Sequence, residues 1–264
     1  FNNIILREYK MNNWAVILGS SSGIGRQCAI ELAKNKINIF GVYLRKPKNY
    51  IEELSDEIKS YGVKVRFLKM NAANESNRLD AINQLKSLDN VNVKIFIHSL
   101  AFGTLKPMID NEENNQLKQK QIEMTTDVMS HSLIYWTQDL FNNNLFNKHS
   151  QIIAMTSAGG NKQWKNYGAV SLAKSSLESA IRQLALELAP HQIACNSIEA
   201  GVTLTAALEK IPNFQSMVDS ALNINPHKRL TLPEDIANAV IMLCKHNSSW
   251  ITGNTIKVDG GESL

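Results

Sequence analysis

Trp14-Ala15-Val16-Ile17-Leu18 runs directly into Gly19-Ser20-Ser21-Ser22-Gly23-Ile24-Gly25 near the start of the sequence. The five apolar residues predict a central strand of a parallel sheet, because such strands are buried on both faces. Helical spacing follows the glycines, at Cys28, Ala29, Leu32 and Ala33. Strand, glycine turn and helix in this order favour a dinucleotide site over a simple tight turn. The glycines let the backbone approach a pyrophosphate, and the helix N-terminus attracts it.

Apolar runs of strand length recur along the rest of the chain, separated by segments with helical spacing. The strand patterns lie at 37–44, 63–68, 93–97, 152–160, 192–198 and 253–261, and the helical patterns at 51–60, 76–88, 125–141, 167–189 and from 233. We therefore expect a single Rossmann-like, doubly wound α/β domain over residues 1–264, with a seven-stranded parallel sheet and helices on both faces. Residues 1–11 are expected to be an N-terminal extension, with Met11 as an alternative start. Residues 204–225 are expected to form a helical flap that gates substrate.

Composition narrows the functional classes. The formal net charge is only +4, and 24 acidic residues are interspersed with the basic ones. This mild excess of positive charge gives no argument for nucleic acid binding. Cys28, Cys195 and Cys244 lack metal-ligand spacing, so we expect buried free thiols in a reducing, cytoplasmic compartment and no metal site. No apolar run approaches the ~20 residues of a membrane span, and the first residues lack a signal-peptide layout.

Tyr167 and Lys174 form the candidate catalytic pair. They are seven residues apart, or about two helical turns, so both side chains can project from one helix face. A phenol can donate a proton, and a nearby ammonium favours its ionised form. The alternative is an ordinary helix with a half-buried tyrosine and an exposed lysine.

The second predicted strand ends in Arg45-Lys46-Pro47-Lys48. NAD sites commonly carry an acid here for the ribose 2′-hydroxyl, whereas a basic residue accommodates a 2′-phosphate. The run therefore predicts NADPH rather than NADH, with Arg45 as the phosphate ligand because arginine binds phosphate through two parallel bonds. A solvated charged loop is the alternative. Asn71 either binds the adenine edge or closes a turn, and His98 is expected to be packed and hydrogen-bonded rather than a catalytic base.

From about Trp14 to Leu264 the chain resembles the short-chain dehydrogenase/reductases. The features that carry the resemblance are the glycine turn, Asn71, the order Ser157, Tyr167, Lys174, then Ala200-Gly201 and Val258-Asp259-Gly260-Gly261. Ordinary members place tyrosine four residues before the lysine, where this chain has Val170. The Tyr-x6-Lys spacing is similar to that of the bacterial enoyl-acyl-carrier-protein reductases, as are the segments 97–99, 127–132 and 259–264.

Three positions depart from the family pattern. Ser157 stands where many enoyl reductases have a second tyrosine, and Met129 stands where many ordinary members have asparagine. The G-x-x-x-G-x-G turn resembles that of a subtype which tends to use NADPH. The resemblance and the strand ends together give the expected cofactor contacts, which are Gly19, Ser20, Ser21, Ser22, Gly23, Ile24, Gly25, Arg45, Asn71, Ala72, Ser99, Leu100, Ala101, Lys174, Gly201, Thr203 and Thr205.

The resemblance implies reduction of the 2,3 double bond of trans-2-enoyl thioesters in fatty acid synthesis, on acyl-carrier protein or coenzyme A. Hydride then enters two bonds further from the oxygen than in ketone reduction, and moving tyrosine three residues back shifts it by roughly 4.5 Å. Tyr167 is expected to bind the thioester oxygen, Lys174 the ribose hydroxyls, and Ser157 either to assist or to be structural. A 3-oxoacyl thioester (ketone) reductase and a catalytically silent NADP-binding sensor or scaffold are the alternatives. Family analogy also implies a homodimer or homotetramer built on the helices at 125–141 and 167–189.

Overall fold

The computed structural model describes residues 12–245 and 249–264, and the expected N-terminal extension, residues 1–11, lies outside these described residues. Seven strands form one sheet in the order β3-β2-β1-β4-β5-β6-β7, and every ladder in it is parallel. The strands are β1 Asn12–Leu18, β2 Asn38–Tyr43, β3 Val65–Lys69, β4 Val91–His98, β5 Phe146–Ser157, β6 Ala194–Ala200 and β7 Thr255–Val258. The predicted seven-stranded parallel sheet is confirmed.

Helices cover both faces of this sheet, as predicted. They are α1 Gly23–Lys34, α2 Lys48–Ser60, α3 Glu75–Lys86, α4 Gln119–Thr126, α5 Ser132–Asn142, α6 Gly168–Leu188, α7 Phe214–Ile224 and α8 Pro233–Lys245. Apolar residues of α1, α2 and α8 pack on one face, and those of α3, α5 and α6 pack on the other. Alternate residues of β1 enter the two cores, Ala15 and Ile17 on the first side and Val16 and Leu18 on the second. This burial on both faces explains the unbroken apolar run.

The cysteines also lie where the sequence analysis expects them. Cys28 and Cys244 are buried in the core beneath α1 and α8, and Cys195 is buried in the opposite core. All three are free thiols. Among the described helices, none is both long enough and apolar enough to cross a lipid bilayer.

The strand order reverses next to β1, and this reversal positions the site. The chain proceeds outward from β1 through β2 to β3, and it then returns to place β4 on the other side of β1. The loops that follow β1 and β4 therefore leave the sheet in diverging directions, which opens a crevice at its carboxyl edge.

The helix expected over 125–141 is interrupted. A π-helical turn, Asp127–His131, joins α4 to α5. Both α4 and the π-helical turn contact α6, whereas Leu133, Trp136 and Leu140 of α5 pack into the core against the sheet. The apolar residues on more than one side of this segment are thus explained by two helices with different neighbours.

The segment at 204–225 contains less helix than expected. Only a short 3₁₀ turn, Leu208–Lys210, and α7 are helical in it. Val218 and Ala221 are buried, whereas Leu204 is exposed. A bridge between Thr203 and Thr231 closes the base of the segment, so it leaves the sheet edge and returns to it as one loop.

Candidate active site

The glycine turn after β1 is packed against the end of β4. Gly19 has a φ of +83°, and a Cβ added there would overlap the carbonyl oxygen of Ser99. A Cβ on Gly25 would likewise overlap the carbonyl oxygen of Gly19. A larger residue at Gly19 would force the turn away from β4, and one at Gly25 would force α1 away from the turn, so these two glycines keep all three close together.

The serines of this turn have different roles from one another. The backbone N–H groups of Gly19 and Ser20 donate to the carbonyl of Val42 (2.9 and 3.1 Å), and the buried Ser20 hydroxyl donates to the same oxygen (3.1 Å). Ser21 is also buried, whereas Ser22 is exposed at the N-cap of α1. The side chain of Ser20 therefore anchors the turn to β2.

The start of α1 suits an anion. The Ser22 side chain caps none of its N–H groups, and its first turn, which contains Ile24, has no acidic residue. Unpaired N–H groups and the positive end of the helix dipole then face the crevice. These donors fit the pyrophosphate of a dinucleotide.

Tyr167 and Lys174 both lie along the end of β5. Lys174 is buried, and its Nζ donates to the carbonyl of Met155 (2.6 Å). Tyr167 is half-buried against Gly159, where an added Cβ would lie 2.5 Å from the phenol ring carbon Cε1. Tyr167 is the N-cap residue of α6, with φ −101° and ψ 4°, so it precedes the helix that contains Lys174. The expectation that both belong to one helix is corrected by this boundary, although the two residues still meet the same strand.

The Tyr167 phenol is a protonated donor at neutral pH. Burial raises its pKa, and the nearby Ser157 hydroxyl lowers it in part. This outcome differs from the sequence expectation, in which Lys174 favours the ionised phenol. The Ser157 Oγ atom is itself buried and has no hydrogen-bond partner among the described residues. The hydroxyl lies beside the phenol, close enough to lower the pKa of Tyr167 but without a hydrogen bond of standard geometry.

Burial also changes the basicity of Lys174. It lowers the pKa of this ammonium to about 8, and the charge of Glu178, one helical turn further along α6, raises it in part. The buried Glu178 carboxylate accepts a hydrogen bond from Thr156 Oγ1 (2.7 Å). Lys174 therefore retains a charge at neutral pH that titrates close to the physiological range.

His98 is a packed, hydrogen-bonded residue, as predicted. Its Nε2 lies 2.8 Å from Ser132 Oγ, and that hydroxyl donates to the carbonyl of Val128 (2.8 Å). The proton of His98 must therefore be on Nε2. Burial and the charge of Lys174 lower the pKa of His98 to about 3, so the ring is neutral at physiological pH.

The cations after β2 contact aromatic rings. The guanidinium carbon of Arg45 lies 4.4 Å from the ring centroid of Phe102, and Lys46 Nζ lies 4.7 Å from that of Tyr50. Both distances are within the ~6 Å range of cation–π attraction. Arg45 remains exposed to solvent, and the Lys48 side chain is 88% exposed, so the alternative of a solvated charged loop stays open.

The other predicted cofactor contacts surround the crevice to different degrees. The exposed Asn71 accepts from the backbone N–H of Ala73 (3.0 Å), which closes a turn, and the carbonyl of Ala72 accepts from Trp136 Nε1 (2.8 Å). Ser99, Leu100 and Ala101 follow β4 at its carboxyl end, and the Ser99 N–H donates to the carbonyl of Leu18 (3.0 Å). These residues adjoin the glycine turn.

The contacts predicted after β6 divide into two groups. Thr205 lies at the glycine turn, since its Cγ2 would be 3.4 Å from a Cβ on Gly23. Gly201 is packed towards β7, against Thr231 and Glu262, and the buried Thr203 hydroxyl donates to the Gly201 carbonyl (2.9 Å). The side chain of Thr205 therefore faces the crevice, whereas Gly201 shapes the strand end.

Sequence reasoning missed two residues of the tyrosine's surroundings. Gly159 gives room for the phenol ring, and Trp164 packs edge-on against it with centroids 5.8 Å apart. The glycine pair at 159–160 was visible, but only the fold brings Gly159 onto the ring. An apolar cluster adjoins the phenol and consists of Met129, Val170 and Ala173, with Leu105 packed against it.

Comparison with known proteins places this geometry in a family. The sequence model described as enoyl-(acyl carrier protein) reductase matches residues 19–263. The enoyl-(acyl-carrier-protein) reductase (NADH) FabI of Escherichia coli is 28% identical over 169 residues, which is 64% of this chain and 63% of that enzyme. That alignment spans less than two thirds of the E. coli enzyme. The enzyme of the same name from Enterococcus faecalis is 24% identical over 97% of this chain and 99% of its own length.

Solved structures share the fold. An enoyl-(acyl-carrier-protein) reductase (NADH) from Aquifex aeolicus superimposes with a TM-score of 0.82 at 22% identity, covering 96% of this chain and 97% of that one. A short-chain dehydrogenase from Burkholderia cenocepacia in complex with NADP gives 0.83 at 18% identity, covering 96% and 99%. At these identities the comparison supports the fold alone.

The prediction of NADPH is wrong in the light of these relatives. The curated relatives named above, together with one from Buchnera aphidicola (25% identical over 96% of this chain and 92% of that enzyme), are named as NADH enzymes. A run of cations at this strand end is therefore insufficient to indicate a 2′-phosphate.

Proposed function

We propose that this chain, which belongs to the enoyl-(acyl carrier protein) reductase family of oxidoreductases, reduces the 2,3 double bond of trans-2-enoyl thioesters with NADH. The observation that carries the proposal is the position of Tyr167, seven residues before Lys174, with its phenol beside the buried hydroxyl of Ser157. A donor set back in this way suits an oxygen two bonds beyond the carbon that is reduced.

The proposed cofactor supplies a hydride when it is bound. Tyr167, protonated because it is buried, donates a hydrogen bond to the thioester oxygen and stabilises the negative charge that develops there. The Ser157 hydroxyl, beside the phenol, would donate a second bond. Lys174 binds the ribose hydroxyls, and the open N-terminus of α1 binds the pyrophosphate.

The choice of NADH is supported by the names of the relatives. The relatives that align over most of this chain are named as NADH enzymes. The loop after β2 presents no acid, and its cations Arg45 and Lys46 contact the rings of Phe102 and Tyr50. Apart from the role of Arg45 as a ligand of a 2′-phosphate, the cofactor contacts predicted from sequence are proposed here unchanged.

The substrate is proposed to be an acyl chain carried as a thioester on acyl-carrier protein during fatty acid synthesis. The apolar cluster beside Tyr167 offers it a wall of Met129, Val170 and Leu105. The loop at 204–225, with Leu204 exposed near the glycine turn, is proposed to gate entry. The single domain is further proposed to assemble as a dimer or tetramer through the exposed sides of α4, α5 and α6.

Steady-state oxidation of NADH with crotonyl and acetoacetyl thioesters tests the proposal. We expect faster turnover of the crotonyl thioester, and a loss of at least about tenfold in kcat/KM for Tyr167→Phe, or ~1.4 kcal/mol of transition-state stabilisation. Tyr61→Phe, at the C-cap of α2, is the matched control and should retain activity.

The same assay separates the alternatives. Faster turnover of the acetoacetyl thioester would instead assign a ketone reductase. Tight nucleotide binding without turnover of either thioester would assign a catalytically silent sensor or scaffold. A loss smaller than tenfold in Tyr167→Phe would remove Tyr167 from the role of principal donor.

A further inference from the structure

Glu178 is a buried acid one helical turn beyond Lys174 on α6, and residues at this spacing are neighbours on a helix surface. Only 6% of its surface is exposed, and its carboxylate accepts a hydrogen bond from Thr156 Oγ1 (2.7 Å). Lys174 Nζ donates to the carbonyl of Met155, the residue that precedes Thr156 in β5. The ammonium and the carboxylate are therefore anchored to consecutive residues of one strand.

The short turn that follows β5 encloses this carboxylate. A Cβ added to Gly160 would lie 2.6 Å from Glu178 Oε1, so the backbone of the turn passes directly against the acid. The Ser175 hydroxyl donates to the carbonyl of Gly160 (2.7 Å) and ties the turn to α6. Because burial reduces screening by water and salt, the charge of Glu178 acts more strongly on its neighbour than a surface charge would.

The other ionisable groups around this pair are neutral, exposed to solvent or next to an opposite charge. His98 is neutral at physiological pH, and the Tyr167 phenol is protonated. Glu199 of β6 is buried, but it lies next to Lys257 in the sheet register. The exposed or partly exposed charged residues on the described segments around this part of α6 are Lys120, Glu123, Asp127, His131 and Lys162. Burial lowers the pKa of the α6 lysine to about 8, and Glu178 is the acid that opposes this effect.

The protonation of Lys174 decides how many hydrogen bonds it can offer to a ligand. An ammonium has three N–H donors, of which one is used by the carbonyl of Met155, so two remain for the two hydroxyls of a ribose. We propose that Glu178 is a positioning residue of the active site, whose buried charge keeps Lys174 in the protonated form that binds both ribose hydroxyls. The inference rests on the proposed function for the presence of the ribose, whereas the effect of Glu178 on Lys174 is independent of it.

Titration of the lysine Cε resonances by NMR, in nucleotide-free protein labelled with ε-¹³C-lysine, tests the inference. The resonance of Lys174 is identified by its loss in Lys174→Met. We expect it to titrate with a pKa of about 8 in the wild type and about one pH unit lower in Glu178→Gln, because a nearby opposite charge shifts a pKa by roughly one to three units. Glu187→Gln removes an exposed carboxylate from the same helix and should leave the titration unchanged.

The affinity for NADH supplies a readout that a purely structural role would not change. Followed by nucleotide fluorescence without substrate, it should begin to fall at a pH about one unit lower in Glu178→Gln than in the wild type. An unchanged Lys174 titration in Glu178→Gln, or an equal shift in Glu187→Gln, would overturn the inference. A shifted titration with the same pH dependence of NADH affinity in both proteins would also overturn it.

Two further measurements keep these outcomes separate. Thermal unfolding shows whether Glu178→Gln is folded, and Glu178→Met, which removes the charge without burying an amide, takes its place if it is not. A wild type that binds no NADH would refute the proposed function, and the NMR titration would then decide by itself whether Glu178 maintains the charge of Lys174.

Discussion

Lys174 gives a pH dependence of stability that can be calculated from its burial. Only 6% of its surface is exposed, and burial lowers its pKa from 10.5 to about 8. Each pKa unit corresponds to about 1.4 kcal/mol, so the charged side chain makes the folded state about 3 kcal/mol less stable than a solvated lysine would. Between pH 8 and 10.5 the unfolded chain binds more protons than the folded one, and stability therefore rises with pH.

The substitution Lys174→Met removes this titration. We expect urea unfolding to show that the free energy of unfolding of the wild type, relative to the variant, increases by about 3 kcal/mol between pH 7 and pH 10.5. The absolute difference at one pH also contains the lost hydrogen bond to Met155 and the altered surroundings of Glu178. The change with pH is consequently the quantity to compare.

An exposed lysine supplies the control. Lys120→Met, on the solvent side of α4, removes the same charge without removing a buried group. A relative stability of wild type and Lys174→Met that stays constant from pH 7 to 10.5, or that falls with pH, would refute the reasoning, because Lys174 would then not be desolvated in the folded protein.

Three further outcomes are expected. The wild type should lose about 3 kcal/mol more stability between pH 7 and pH 4 than His98→Asn does, as measured by urea unfolding. The reason is that the unfolded histidine takes up a proton below pH 6.5, whereas the folded one, with a pKa of about 3, does not. An identical loss of stability in acid in both proteins would contradict this. Gly159→Ala should push the Tyr167 ring aside and lower kcat for the enoyl thioester about ten- to hundredfold with NADH affinity retained, and unchanged kcat would show that the ring position is not critical. Asp139→Asn should lower the free energy of unfolding, measured by urea denaturation, by about 2–4 kcal/mol, because it leaves the largely buried Arg78 without its 2.9 Å ion pair. A decrease of less than about 0.5 kcal/mol would mean that the pair contributes little.

Local sequence patterns were sufficient for the sheet. The residues of β1 are buried on both faces, and they are therefore an unbroken apolar run in the sequence. Gly19 was also identifiable, because a glycine after such a strand and before a helix has few other reasons to be there. The elements that could be predicted are those whose physical cause lies within about ten residues of chain.

Contacts distant in sequence account for what was missed. Phe102 is distant from Arg45 in the sequence, and only the sheet order brings its ring to the guanidinium, so no local pattern predicts this contact. The helical spacing that includes Tyr167 likewise cannot reveal that the helix begins only after this residue, which is its N-cap. The low pKa of Lys174 arises from tertiary burial, to which no spacing rule refers.

The π-helical turn between Thr126 and Ser132 has a consequence for comparing this chain with its homologues. Such a turn holds one residue more than the α-helical turn it replaces. A homologue with a one-residue gap here could form a single continuous rod, in which the side chains before the gap are rotated by roughly 100° about the axis. Met129, now part of the apolar cluster beside the phenol, would then have no structural counterpart, so a gap at this point in an alignment marks a change in the shape of that cluster.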